Sequence, residues 1–178
     1  DLLREQYPVA KNWVDFMQRN AKDGIINRTI GDHESIDEKV VGLSATAYYY
    51  YNTLLLAKFA NLLDKKDDYI KYNALKDTIK AAFISKYVDP LTGNIGIHTA
   101  AAQSYGLYFN LFPENAYDAA LKVLLENISK NDDHITAGIF GTKFIMEVLS
   151  RTGNGSKAYK MATQKTFPGW GYMLANGA

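Results

Sequence analysis

Cysteine is absent from the 178 residues, which excludes disulfides, thiolate metal sites and a cysteine nucleophile. That absence leaves the redox compartment open, because exported proteins can lack cysteine too. No apolar run approaches the roughly 18 residues needed to span a bilayer, so no membrane span is expected. An excess of either charge is missing as well: 20 Lys and Arg face 19 Asp and Glu, for a net charge of +1. The balance argues against nucleic acid or an anionic membrane surface as the main partner. No HExxH run, GxSxG elbow, P-loop or Rossmann fingerprint occurs. The three histidines, His33, His98 and His134, form no pair at helical spacing, so no metal site and no cofactor is expected. No signal-like segment stands at the N-terminus, and the compartment is not legible from the residues.

What is present begins with a core. Hydrophobic residues make up 47% and charged residues 22%, which rules out disorder and suits one domain, or one piece of something larger. Thirteen Tyr, eight Phe and two Trp are a high aromatic content. Such rings pack cores, and they also stack on the apolar faces of sugars; composition does not separate the two.

Helical period dominates the chain. Val9, Trp13, Phe16 and Met17 recur at spacings of three and four, predicting an amphipathic helix over 2–21. A long loop over 25–43 follows, carrying GDHESIDE at 31–38. Ser44 is a plausible N-cap for a second helix to about 63, with Ala47, Tyr51, Leu54, Leu55, Phe59 and Leu62 on one face. Further helices are predicted over 68–87, 99–111, 114–129, 136–151 and 156–165. Only 94–97 offers a short strand candidate. Short turns alternate with long loops at 25–43, 87–98 and 166–178, so the long loops are expected to meet at one end of stacked helical hairpins. The fold class is therefore all-α: either a compact bundle, or helical hairpins forming an arc of an (α/α) barrel or toroid whose remainder is missing. The chain opens inside a helical pattern and stops in a Gly-rich aromatic loop, and it reads as a fragment.

Several residues invite chemistry. His33 lies between Asp32 and Glu34, and this loop, with Asp37 and Glu38, offers the carboxylates that glycoside hydrolysis uses. Asp37 and Glu38 also suit a solvated position near the start of a helix. Gly138 and Gly141, three apart near a helix start, fit close helix packing and anion binding equally. The segment FPGWGYM, 167–173, places Trp170 and Tyr172 on a backbone shaped by Pro168, Gly169 and Gly171. A sugar platform and a loop-closing aromatic cluster both suit it.

The tail HITAGIFGTKFIMEVLSRTGNGSKAYKMATQKTFPGWGYMLANGA, 134–178, resembles the catalytic domain of α-L-rhamnosidases, glycoside hydrolase family 78. That family typically reads H-L-T-T-G-F-L-G-T, then a helix, then P-S-W-G-Y-M and N-G-A. GDH at 31–33 resembles the family's G-D-W loop, GLSATAYYYYNTLLLAKFA at 42–60 the helix after it, and REQYPVAKNWVDFM at 4–17 the helix before it. The resemblance runs in order over essentially the whole chain. It implies that 1–178 is a portion of a six-hairpin glycosidase catalytic domain, an (α/α)6 barrel (toroid) incomplete in this chain, releasing terminal α-L-rhamnose with inversion. It also implies that no catalytic residue lies in this chain, the general acid being upstream and the base in a T-T-x-W-E segment downstream. The fragment alone is then expected to be inactive, its partner being the remainder of its own catalytic domain.

For substrate binding, the expected residues are Asp32 as a hydroxyl acceptor, Glu34 beside it, His33 and His134 as polar wall, and Trp170 with Tyr172 as aromatic wall. His33 stands where many members have Trp, and Gly169 where many have Ser; the first leaves open another rhamnoside or another sugar. The resemblance, not the residues, points to a periplasmic or extracellular location. The competing readings are a non-catalytic helical-repeat scaffold, against which the lack of a fixed-period repeat counts, and a barrel enzyme acting on another sugar.

Overall fold

The computed structural model describes residues 1–178 and is all-helical. The helices are α1 (Leu2–Asn20), α2 (Val41–Leu62), α3 (Lys66–Tyr87), α4 (Ala100–Phe109), α5 (Tyr117–Lys130), α6 (Ile139–Arg151), α7 (Gly155–Ala162) and α8 (Trp170–Ala175). A single 3-10 turn, Glu114–Ala116, leads into α5. Extended pairing is limited to two isolated bridges, Lys22 with Ile25 and Val88 with Ile95. The strand candidate at 94–97 thus reduces to one bridging residue. The chain divides into two compact units, the first Asp1–Thr29 with Val41–Tyr87, the second Ile30–Val40 with Val88–Ala178.

In the first unit α2 and α3 form a hairpin and α1 packs on α2. Helix α2 starts at Val41, ahead of the expected cap Ser44, whose hydroxyl donates to the Val41 carbonyl within the first turn. Lys58 is its one charged residue, so the helix is apolar nearly all round and is buried on more than one side. Its enclosed residues include Tyr49, Tyr50, Thr53, Leu56, Ala57 and Ala60; of the face expected from spacing only Ala47 is buried. A helix without a polar face carries no phase from which to read its inward side. Helix α1 also departs from expectation. Its core residues are Tyr7, Val14 and Met17, while Val9, Trp13 and Phe16 are 63%, 51% and 48% exposed.

Polar pairing accounts for the orientation of α1. The Tyr7 hydroxyl (2.8 Å) and Lys11 Nζ (2.7 Å) both donate to Asp68 of α3. The Tyr72 hydroxyl (2.8 Å) and Lys71 Nζ (3.1 Å) of α3 donate to Asp15. Residues 7, 11 and 15 are spaced by four, so they form one row along α1. Burial acts to raise the pKa of both carboxyls, but the hydrogen bonds and lysine charges outweigh it, and Asp15 and Asp68 titrate below the usual carboxylate value. Burial, then the neighbouring carboxylates, raises the Tyr7 and Tyr72 hydroxyls well above an ordinary phenol.

A carboxyl depressed in the folded state stabilises fully above its unfolded pKa of about 4 and loses that contribution as pH falls through the folded value. Acid unfolding of α1 against α3, followed by amide exchange, should therefore set in only below about pH 4. Tyr72→Phe should move that onset upward and cost about 1.5–3 kcal/mol at neutral pH, the range for a hydrogen bond to a charged group. An onset unchanged by the substitution would remove this account.

The second unit is centred on α4, which packs against both α5 and α6. Thr99 caps α4 by accepting from the Ala102 amide (3.1 Å), and Asn110 closes it in the left-handed region at φ 57°. Gln103 is fully buried; its Oε1 accepts from the Ile95 amide (3.0 Å), and its Nε2 donates to the carbonyls of Gly93 (2.5 Å) and Ala120 (3.0 Å). One side chain thereby ties the 88–98 loop to α4 and α5. Rings join α4 to α6: Tyr105, Tyr108 and Phe109 lie 5.0, 4.5 and 5.0 Å from Phe144 between centroids. Each such pair contributes about 0.5–1.5 kcal/mol beyond its buried area. This seam fixes α6, at whose N-terminal end the candidate site lies.

Candidate functional site

An α-helix begins with four backbone N–H groups that have no partner within the helix. Gly138, which precedes α6, has no side chain with which to cap them. They are taken up instead by residues more than a hundred positions earlier. Asp32 Oδ2 accepts from the Gly138 amide (2.8 Å), and Oδ1 accepts from those of Phe140 (3.1 Å) and Gly141 (2.9 Å). The His33 carbonyl accepts from the Ile139 amide (2.9 Å). The negative charge sits where the helix dipole favours it. Asp32 is completely enclosed, so the structure corrects its expected place as a hydroxyl acceptor. Its oxygens are held by the backbone of α6.

The two glycines make room for this arrangement. A Cβ on Gly141 would overlap Asp32 Oδ2 and stand 2.9 Å from Ala101 Cβ, and one on Gly138 would overlap the His33 carbonyl oxygen. The choice between packing and anion binding dissolves here, because the bound anion is the chain's own carboxylate. The joint also explains why α6 starts at Ile139 rather than near 136. Thr136 is held outside the helix: its carbonyl accepts from the amides of Ile36 (2.9 Å) and Asp37 (3.2 Å), and its hydroxyl donates to Asp37 (2.7 Å).

Beside the joint lies a cavity of about 580 Å³. Glu34 and Ile36 line it from the 30–40 loop, Ile139 and Thr142 from α6, and Phe167, Trp170, Tyr172 and Met173 from the 167–173 segment. The 30–40 loop and the final segment therefore meet at the N-terminal end of α6. Trp170 and Tyr172 belong to the short helix α8, which the sequence reading took as loop; they are 43% and 39% exposed. Phe167 and Tyr172 meet edge to face at 5.6 Å. Phe167, Ile36, Ile139 and Thr142 were not among the expected site residues, although 138–142 and 167–173 had already stood out as motifs.

Glu34 is the one carboxylate in the lining. Its φ is +62°, in the left-handed region, where a residue other than glycine costs on the order of 1 kcal/mol or more. His33 lies outside the lining, with Nε2 3.3 Å from Glu34 Oε1. His134 is outside it too. Its Nδ1 lies 3.1 Å from the Asn131 carbonyl and its Nε2 2.8 Å from the Thr166 hydroxyl. A carbonyl only accepts, so Nδ1 carries a proton, and in the neutral ring Nε2 accepts from Thr166. His134 thus acts as a strut between the 131–138 run and the 166–173 segment. A second strut is Gln164 Nε2, which donates to the Asp132 carbonyl (2.9 Å). Asp133 anchors the same run to α7 through Lys157 (2.6 Å) and Lys160 (2.5 Å). Burial raises its pKa, but the two lysines overcome this and hold it below the usual range.

The arrangement provides an aromatic face with one carboxylate nearby, suited to a ligand with both an apolar face and hydroxyl groups. The bacterial α-L-rhamnosidase six-hairpin glycosidase domain matches residues 1–178. An α-L-rhamnosidase of Formosa agariphila is 31% identical over 190 residues, spanning 99% of this chain and 20% of its own length. One of Streptomyces avermitilis is 31% identical over 180 residues, with 99% and 17% covered. Among solved structures, the Streptomyces avermitilis α-L-rhamnosidase complexed with L-rhamnose superposes with a TM-score of 0.91 at 29% identity, over 98% of this chain and 17% of that one. The α-L-rhamnosidase from Dictyoglumus thermophilum gives 0.90 at 35% identity, over 99% and 21%. The chain thus spans about one-fifth of the length of the relatives it matches.

Proposed function

The chain belongs to the bacterial α-L-rhamnosidase six-hairpin glycosidase domain family, and on that premise we propose that residues 1–178 form part of the catalytic barrel of an enzyme that releases terminal α-L-rhamnose. Rhamnosides or polysaccharide fragments are its substrates, and hydrolysis proceeds with inversion. The observation carrying this reading is the cavity beside α6, where Trp170, Tyr172 and Phe167 stand with Glu34. A deoxy sugar presents a methyl group and C–H faces to rings and hydroxyls to a carboxylate, and the lining supplies both.

In this reading Trp170 and Tyr172 stack on the sugar, and Glu34 accepts from a hydroxyl with His33 beside it. The general acid and base come from elsewhere in the longer protein. The remaining hairpins also cover the exposed Val9–Trp13–Phe16 stripe of α1, where Trp13 and Phe16 stack at 5.6 Å with their planes 16° apart.

The test is chromophore release from an aryl α-L-rhamnoside by the longer protein, with the first-formed sugar anomer read by NMR. β-L-rhamnose appearing first means inversion; α-L-rhamnose means retention and overturns that part. Trp170→Ala should raise KM by a factor matching about 1 kcal/mol of lost stacking, with a smaller change in kcat. Inactivity on every rhamnoside together with activity on another sugar would show that His33, in place of the family's usual Trp, marks a different substrate.

A further inference from the structure

We infer that Asp32 is a positioning residue for Glu34: it binds the first turn of α6 so that the loop it belongs to presents the Glu34 carboxylate to the sugar. The inference rests on the proposed function for its kinetic part and on geometry alone for its structural part. Asp32 and the His33 carbonyl together satisfy all four opening amides of α6, from Gly138 to Gly141. The carboxylate is enclosed, and so has no hydroxyl of a ligand within reach. Immediately after it the chain turns, with the Ser35 amide donating to the Asp32 carbonyl (3.2 Å) and Glu34 at φ +62° at the bend.

A strained residue persists only where its surroundings over-determine it. Here both sides of the bend are fixed, by Asp32 and His33 on α6 before it and by Ile36 and Asp37 on the Thr136 carbonyl after it. The same α6 contributes Ile139 and Thr142 to the cavity. Asp32 therefore sets the distance between Glu34 and the α6 wall without touching the ligand.

The prediction separates this role from general support of the fold. Asp32→Asn keeps the side-chain shape but turns an NH2 toward backbone donors, since both oxygens now accept. In the longer protein it should raise KM by about tenfold or more, the scale of one lost charge-assisted hydrogen bond, and leave kcat less affected. Glu34→Gln should raise KM too, and the double variant should be little worse than either single, because one acts through the other. An unchanged KM in Asp32→Asn, or effects that simply multiply in the double variant, overturns the inference.

Should Asp32→Asn fail to fold, Gly141→Ala, which crowds the same carboxylate without removing its charge, is read by the same KM and double-variant criteria. Amide exchange supplies a readout free of substrate. The amides of 138–141 should be protected in the unaltered protein and exposed in Asp32→Asn. Fast exchange at these amides in the unaltered protein, or protection that survives the substitution, overturns the inference even if no rhamnoside is cleaved. Absence of rhamnoside cleavage by the unaltered protein with those amides behaving as expected would sink the proposed function while leaving the joint in place.

Discussion

Residues 1–178 alone are expected to show no turnover of an aryl α-L-rhamnoside under conditions in which the longer protein releases the chromophore. Inverting hydrolysis requires an acid and a base roughly 6.5–9.5 Å apart, with water between them. The cavity beside α6 offers a single carboxylate, Glu34. Asp32 is enclosed with its oxygens engaged, and Asp37 accepts from Thr136. General acid and base catalysis each contribute about 10²–10⁴-fold, so loss of both removes measurable turnover. Turnover by residues 1–178 that Glu34→Gln abolishes would place a catalytic carboxylate inside this loop and refute the assignment of both to other parts of the protein.

Gly138→Ala should be among the most damaging single substitutions in the second unit. The backbone there, with φ −78° and ψ −165°, is open to any residue, so conformational freedom is not the issue. The difficulty is space. A Cβ would overlap the His33 carbonyl oxygen and lie 2.8 Å from the Asp32 carbonyl oxygen. Backbone atoms cannot rotate aside as a side chain would, so the 31–34 loop must leave α6 and take the capping of its four amides with it. A cost of about 3 kcal/mol or more is expected, at the upper end for overpacking. Thermal unfolding measures it, and Gly155→Ala is the control. Nothing lies within 4 Å of a Cβ built on Gly155 at the start of α7, and the exchange there should be neutral or stabilising by up to about 1 kcal/mol. Equal effects of the two substitutions would mean that the 31–34 loop yields and the joint is soft.

Sequence alone determined that the chain is helical and where most helices lie. The three-and-four spacing marks Tyr72, Leu75, Ile79, Ala82 and Phe83 in α3 and Ala120, Val123, Leu124 and Ile128 in α5; of these Leu75, Ala82 and Val123 are half-buried and the others buried. In α5 a polar face contrasts with an apolar one, so period and phase are both legible there. The motifs at 31–33, 134–142 and 167–173 also stand out in the sequence, and they are the segments that build the cavity and its supports.

Only the tertiary structure decided the rest, for three physical reasons. In α2 the apolar residues run round the helix, so the inward side is set by its neighbours rather than its own pattern. In α1 two faces are apolar, and the hydrogen bonds from Tyr7 and Lys11 to Asp68, and from Tyr72 and Lys71 to Asp15, decide which one meets the core. In the 30–40 loop, neighbouring residues take opposite fates. Asp32 is enclosed because three amides with no other partner lie 106, 108 and 109 positions away in sequence, and Glu34 is open because the bend turns it to the cavity. A residue's type announces that it can accept hydrogen bonds; which donors reach it first depends on the fold.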